Sequence, residues 1–106
     1  MNSRLEKILS MLEDDPRDPF LRYTLAMEYR KLQQNEKSLE LLTELTIHEN
    51  PKYVAAFFMA AQQLVELERL DDARSYLREG IEEARQQNNH HAAAEMSELL
   101  SEIGKE

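Results

Sequence analysis

Four groups of ionisable side chains are the places in this sequence where catalysis or metal binding could occur. They are His48, His90-His91, Asp71-Asp72 and Glu82-Glu83. Paired carboxylates can perform general acid and base chemistry, and two histidines at positions i and i+4 of a helix can share one metal ion. Adjacent residues point to different sides of a helix, so His90 and His91 cannot bind one ion in that way. We therefore expect no metal site.

The other three groups have structural interpretations. His48 falls in the last turn of a predicted helix, where a positive side chain suits the helix dipole. Asp71-Asp72 is interpreted as helix capping, and Glu82-Glu83 as a solvated helix face. The residues available to pair with these two glutamates are Arg78, Arg85 and Gln86. Because the sequence also lacks a glycine-rich phosphate loop and a Gly-x-Ser-x-Gly turn, it predicts no enzyme and no cofactor.

The net charge limits the partners that the chain can attract. Its 21 acidic and 13 basic side chains give a formal charge of -8, which repels phosphate backbones and anionic lipids. The longest stretch without a charge, from Tyr53 to Val65, is shorter than the roughly 18 residues of a membrane-spanning helix. We expect no nucleic acid or membrane partner. The start of the sequence has no apolar signal core, and there is no cysteine, so we expect a cytoplasmic location.

The composition favours a single all-α domain. With 106 residues the chain can close one hydrophobic core, and two glycines and three prolines supply few of the turns that many short strands would need. Apolar residues at helical spacing, such as Leu5, Ile8 and Leu12, recur in about six segments. Asp18-Pro19 provides a cap and a proline for the second helix, and Asn35 can cap the third. Asn50-Pro51 is interpreted as a second cap-and-proline pair that starts a fourth helix at Lys52.

A shift of 35 residues superimposes the second and third helices on the fourth and fifth. Small residues then coincide, with Ala26 on Ala61 and Ser38 on Ala73, as two closely approaching helices require. Gly80 lies within a helix, where it costs about 1 kcal/mol relative to alanine, so we expect a neighbour to pack closely against it. The predicted organisation is a helix at 3–14, a first repeat at 19–50, a second at 51–86 and a terminal helix at 89–104.

This pattern resembles the tetratricopeptide repeat family, whose unit of about 34 residues is a helix-turn-helix. The residues that carry the resemblance are Leu25-Ala26, Tyr29, Ser38, Leu42 and Pro51 in the first unit and Phe57, Ala60-Ala61, Leu64, Ala73 and Leu77 in the second. Arg22 replaces the leading aromatic residue of the first unit, and neither unit has a glycine at its middle turn. The resemblance implies antiparallel hairpins stacked as a short right-handed superhelix, with the last helix shielding one end.

The resemblance also implies a function, because the concave surface of such hairpins usually binds a peptide segment of another protein. The residues expected to line it are Phe20, Tyr23, Met27, Arg30, Lys31, Phe58, Gln62 and Val65. Ala55 and Glu66 would extend it, and the last helix would contribute His91, Ala94, Glu98 and Ser101. One subgroup of the family binds acidic chaperone tails with lysines, arginines and asparagines. This chain has Tyr23, Met27, Phe58 and Met59 at those positions, so we expect a neutral, basic or apolar ligand instead.

Two alternatives remain open at this point. The aromatic and methionine side chains could complete the core instead of lining a groove. The terminal helices could also stack against a second copy, which would make the protein a homodimer or a structural subunit.

Overall fold

Six α-helices form the protein, which we describe from a computed structural model covering residues 3–104. They are α1 (Ser3–Asp14), α2 (Pro19–Lys31), α3 (Asn35–Ile47), α4 (Val54–Glu66), α5 (Leu70–Gln86) and α6 (His90–Ile103). Each helix packs against the next along the chain, and α4 also contacts α6. The short connections make neighbouring helices antiparallel, so α2–α3 and α4–α5 are two stacked hairpins. This confirms the predicted all-α architecture, and no strand occurs within the described range.

The small residues of the repeat lie where the helices of a hairpin meet. Ala26, Ser38, Ala61 and Ala73 are all completely buried. A Cβ atom placed on Gly80 would lie 2.6 Å from both the Phe57 Cβ and the Met96 Sδ. The close approach predicted at Gly80 is therefore present, and it involves both α4 and α6.

Two groups of buried apolar residues make up the core. The larger lies between α4, α5 and α6 and includes Phe57, Leu64, Leu77, Met96 and Leu100. The smaller lies between α2, α3 and α4 and consists of Ala26, Leu42, Leu45, Ala56 and Ala60. Because α4 belongs to both groups, it is the centre of the fold, as its apolar circumference predicts.

The N-terminus of α4 corrects one prediction. Asp18 does cap α2, because its side chain accepts from the backbone N–H groups of Phe20 and Leu21 at 2.8 and 3.2 Å. The prediction that Asn50-Pro51 repeats this device was wrong: α4 begins at Val54, and its N-cap is Tyr53. The shift of 35 residues explains the error, since it places Pro19 on Val54 and puts Pro51 three positions too early.

Two further capping predictions were also wrong. The side chain of Asn35 does not cap α3 but accepts a hydrogen bond from the Gln63 amide, with Nε2 and Oδ1 2.8 Å apart. Asp71 and Asp72 lie in the first turn of α5, where they pair with Arg74 and Arg69 at 2.8 and 2.9 Å. In both cases a longer side chain donates to the residue in preference to a backbone N–H group.

Buried polar residues occupy the same position in both repeats. Glu28 and Gln63 are separated by 35 residues, and their side chains are 4% and 0% exposed. Glu28 Oε1 accepts from Arg4 Nε of α1 at 3.0 Å. Gln63 reaches back to α3, where its Oε1 lies 3.1 Å from Ser38 Oγ in addition to the bond with Asn35. Each repeat is thus tied to the preceding helix by a polar contact.

Three helix ends share one turn geometry without glycine. Gln33, Glu68 and Asn88 follow α2, α4 and α5, and each has a φ of 60°. After α2, the N–H groups of Gln33 and Gln34 donate to the carbonyls of Arg30 and Tyr29 at 2.9 Å. The turns at Glu68 and Asn88 repeat this bonding pattern, which is the Schellman motif.

Candidate functional site

Two cavities lie side by side on the surface formed by the first helices of the repeats. The first, which we call the acidic cavity, has a volume of about 390 Å³ and is formed by α2, α4 and α6. The second, which we call the methionine cavity, has a volume of about 500 Å³ and is formed by α2, α4, the turns that follow them and the first residue of α3. Arg30 and Glu66 line both cavities. The site is therefore divided in two by a single pair of side chains.

The dividing pair is an ion pair between α2 and α4. Arg30 Nη2 lies 2.9 Å from Glu66 Oε2, and Arg30 Nη1 contacts the Met59 sulfur at 2.7 Å. The arginine side chain is 23% exposed and the glutamate side chain is 63% exposed. Solvent therefore reaches the carboxylate more easily than the guanidinium.

The acidic cavity combines an apolar lining with a strong negative charge. Its apolar residues, Phe58, Val65 and Leu99, also pack against the larger core group, which fixes their positions. Its carboxylates are Glu66, Glu95, Glu98 and Glu102. Arg30 is the basic residue of this lining, so the cavity has an excess of negative charge. Such a surface attracts cationic side chains and repels anionic ones.

The methionine cavity has a different character. Met27, Met59 and Leu67 provide apolar surface, and Met27 and Leu67 are 39% and 38% exposed. Lys31 and Arg30 add positive charge. Methionine side chains adapt to ligands of different shapes, so this cavity suits a large apolar side chain.

The structure divides the eight predicted groove residues into three sets. Arg30, Phe58, Gln62 and Val65 meet in the acidic cavity. Met27 and Lys31 line the methionine cavity together with Arg30. Phe20 and Tyr23 line neither cavity.

Phe20 is the most exposed large apolar residue of α2, with 62% of its surface accessible. Tyr23 is half-buried, and its ring centroid lies 5.3 Å from that of Tyr53. Burial raises the pKa of Tyr23, and the nearby Tyr53 raises it further, while Arg30 opposes this effect. Burial also raises the pKa of Tyr53, as does the Asp18 carboxylate. The contact between the two tyrosine rings joins the repeats at the end of α2 that is farther from the cavities.

The acidic cavity is lined by a different face of α6 from the one predicted. Of the predicted residues His91, Ala94, Glu98 and Ser101, the acidic cavity includes Glu98. Its other α6 residues are Glu95, Leu99 and Glu102. A change of one residue rotates a helix face by about 100°. The spacing of Glu95, Glu98, Leu99 and Glu102 at i, i+3, i+4 and i+7 is the sequence signal for the face that lines this cavity.

The histidine and carboxylate side chains of residues 3–104 were compared with the requirements of a metal site. There, no three histidine or carboxylate side chains lie close enough together to hold a metal ion. His90 and His91 are exposed at the start of α6, and His91 Nε2 lies 3.5 Å from Glu95 Oε1. Nor does any helix of that range combine the length and apolar character needed to cross a membrane.

Comparisons with known proteins identify the family. A tetratricopeptide repeat domain protein from Salinibacter ruber, solved by solution NMR, aligns with 32% identity and a TM-score of 0.79, covering 84% of this chain and 89% of that one. The chain belongs to the tetratricopeptide repeat family. A crystal structure of the same tetratricopeptide repeat target from that organism aligns with 31% identity and a TM-score of 0.74, covering 82% of this chain and 96% of that one.

Other comparisons give no match: neither the models of protein families nor the curated proteins include a significant relative of this sequence. The tetratricopeptide repeat assignment therefore rests on the structural neighbours and on the repeat itself. The fold is a helical repeat module of the kind commonly used for protein interaction and is generally a non-enzymatic scaffold.

Proposed function

We propose that this protein is a non-enzymatic interaction module that binds a segment of another protein in the groove formed by α2, α4 and α6. The observation that carries the proposal is the acidic cavity, where Phe58, Val65 and Leu99 form an apolar surface flanked by carboxylates. Apolar anchors surrounded by charged groups are typical of peptide recognition. The excess of carboxylates favours a partner segment that is basic or apolar, and disfavours nucleic acid and anionic membranes.

The test begins with a library of random peptides displayed on phage and selected against the whole protein. A selected peptide is then titrated into isotope-labelled protein, and the amide chemical shifts are followed by NMR. We expect the largest shifts around Gln62, Val65 and Leu99. Shifts confined to the outer surface of α5 around Arg78, or failure to select any peptide, would contradict the proposal.

A matched pair of variants locates the binding surface. Phe58→Ala removes an aromatic ring from the acidic cavity, and Phe20→Ala removes one that lies outside both cavities. We expect Phe58→Ala to weaken the selected peptide about tenfold and Phe20→Ala to leave its affinity unchanged, since truncating an anchor costs more than 1 kcal/mol. Circular dichroism checks that both variants remain folded. Equal losses in the two variants would count against the acidic cavity as the site.

A homodimer is the second candidate, because apolar side chains remain exposed on the terminal helix α1. Leu9 and Met11 are 41% and 53% exposed. Light scattering over a range of protein concentrations distinguishes a homodimer from a monomeric interaction module. A concentration-dependent dimer that Leu9→Lys with Met11→Lys dissociates would support self-association, and a monomer at every concentration would rule it out.

A further inference from the structure

The Arg30–Glu66 ion pair is the feature from which the chemistry of the ligand can be inferred. It is the boundary between two cavities of opposite character, one lined by carboxylates and one lined by methionines. A ligand that fills either cavity touches the same pair of side chains. The two cavities therefore form one binding surface with two distinct ends.

One carboxylate of the acidic cavity, that of Glu66, already binds a guanidinium group. Glu66 is occupied by a guanidinium that the protein itself supplies, with Arg30 Nη2 and Glu66 Oε2 2.9 Å apart. Glu95, Glu98 and Glu102 line the same cavity from α6. A second guanidinium or ammonium group at this end would face four carboxylates and could take the place of Arg30 on Glu66.

The two partners of the ion pair differ in their access to an incoming cation. The Glu66 side chain is 63% exposed, whereas that of Arg30 is 23% exposed. The carboxylate is therefore accessible to an incoming cation. Arg30 would keep its contact with the Met59 sulfur, so the guanidinium has a second partner on the side of the methionine cavity.

The methionine end selects a different group. Met27, Met59 and Leu67 offer apolar surface, while Lys31 and Arg30 disfavour a second cation there. A large apolar side chain fits this end without leaving a charge unpaired. Because one ion pair separates the two ends, the cationic and apolar residues of a ligand must be near each other.

We infer that one partner segment crosses the Arg30–Glu66 pair, with a lysine or arginine among the α6 carboxylates and a neighbouring large apolar side chain in the methionine cavity. This inference rests on the proposed function and specifies the partner of that same groove. Arg30 competes with the cationic group of the ligand for the Glu66 carboxylate. The partner's motif is then a basic residue within a few positions of leucine, methionine or phenylalanine.

The test uses the phage-selected peptide and three synthetic versions of it. In one version citrulline, which is uncharged and has nearly the shape of arginine, replaces the basic residue. In the second, alanine replaces the apolar residue, and the third carries both changes. We expect each single change to weaken binding about fivefold to tenfold, measured by fluorescence anisotropy at low salt.

Protein variants assign each half of the peptide to its cavity. Glu98→Gln with Glu102→Gln should weaken the arginine peptide about fivefold and leave the citrulline peptide unchanged. Met27→Ala should weaken the leucine peptide and have little effect on the alanine version. The matched control, Asp14→Asn with Asp15→Asn, makes the same change of net charge on exposed residues outside both cavities and should alter neither affinity.

The outcomes separate this inference from the proposed function. Peptides that bind the groove, lose affinity in Phe58→Ala and yet lack a basic residue would overturn the two-ended motif and leave the interaction module standing. The same holds if the control variant weakens binding as much as Glu98→Gln with Glu102→Gln, since the effect would then be one of overall charge. Failure to select any peptide would overturn both.

Discussion

The two repeats have different residues at one pair of equivalent positions, one on the first helix of the hairpin and one on the second. In the second repeat, Phe57 of α4 packs against Gly80 of α5, and a Cβ atom on that glycine would lie 2.6 Å from the Phe57 Cβ. The equivalent residues of the first repeat, 35 positions earlier, are Arg22 and Leu45. Arg22 pairs with Glu44 and also lies 3.6 Å from Glu49. The same helical hairpin can therefore be closed by an aromatic ring over glycine or by an arginine and a leucine.

The two repeats also differ in the amount of apolar packing around them. The second repeat lies beneath α6, which completes the larger core group with Ala93, Met96 and Leu100. The first repeat has the smaller group, and Thr43 joins it to Tyr76 of the second repeat, with hydroxyl oxygens 2.8 Å apart. The comparison teaches that an equal period does not mean equal stability, and we expect the second repeat to be the more resistant to local unfolding.

The largest expected effect comes from the facing positions themselves. Phe57→Ala should lower the free energy of unfolding by about 3–5 kcal/mol, because it leaves a cavity in the larger core group. Arg22→Ala, the equivalent change in the first repeat, should cost about 0–1 kcal/mol, since it removes partly exposed ion pairs. Urea denaturation followed by circular dichroism measures both. Similar losses would mean that the two repeats are packed alike.

Gly80→Ala should destabilise the protein by about 1–3 kcal/mol through overpacking. Met96 can move its flexible end away from the new methyl group, but the Phe57 Cβ is fixed to the backbone of α4. Leucine keeps that Cβ atom, so Gly80→Ala should remain destabilising when it is combined with Phe57→Leu. If Gly80→Ala cost nothing in the Phe57→Leu background of the urea experiment, the aromatic ring and not the backbone approach would be the cause of the overpacking.

Features of the fold that depend on repeated sequence patterns could be predicted more accurately than features that depend on one local motif. The helices, the period and the buried small residues depend on patterns repeated along the chain, and these predictions were confirmed. The close contact at Gly80 was also confirmed, and it follows from the cost of a glycine within a helix. The start of α4 was misplaced because a local signal, Asn50-Pro51, was preferred to the period. The groove residues on α6 differ by one position from those that line the acidic cavity, and residue spacing cannot reveal that Arg30 pairs with Glu66.

A smaller effect is expected where the repeats are tied together. A double-mutant cycle of Gln63→Ala and Asn35→Ala should give a coupling energy of about 1 kcal/mol, the usual net worth of a buried hydrogen bond. Glu36→Ala combined with Gln63→Ala provides the control on the same helix, because the Glu36 side chain is exposed beside Asn35. A coupling energy near zero would show that the contact between the repeats is apolar.

The smallest effect concerns the titration of Tyr23, whose equivalent in the second repeat is the non-ionising Phe58. Burial raises the pKa of Tyr23 above its usual value of 10.0. Its contribution to stability is therefore fully present below about pH 10 and is lost as the pH rises through the higher value of the folded state. The urea midpoint of the wild type should fall in this alkaline range, and Tyr23→Phe should reduce the fall. An identical decline in both proteins would assign it to Tyr53 or to other groups.

The three turns at Gln33, Glu68 and Asn88 have a practical consequence for protein engineering. Each places a side chain in the left-handed region that glycine occupies most easily, yet all three form the same hydrogen bonds. Asparagine tolerates this conformation at position 88, whereas Gln33 and Glu68 adopt it against their preference. Glycine at positions 33 and 68 would relieve this strain at exposed sites, although Gln33 borders the methionine cavity. Glu68→Gly is consequently the first choice for a more robust scaffold, in which even disruptive changes to the groove could be studied in a folded protein.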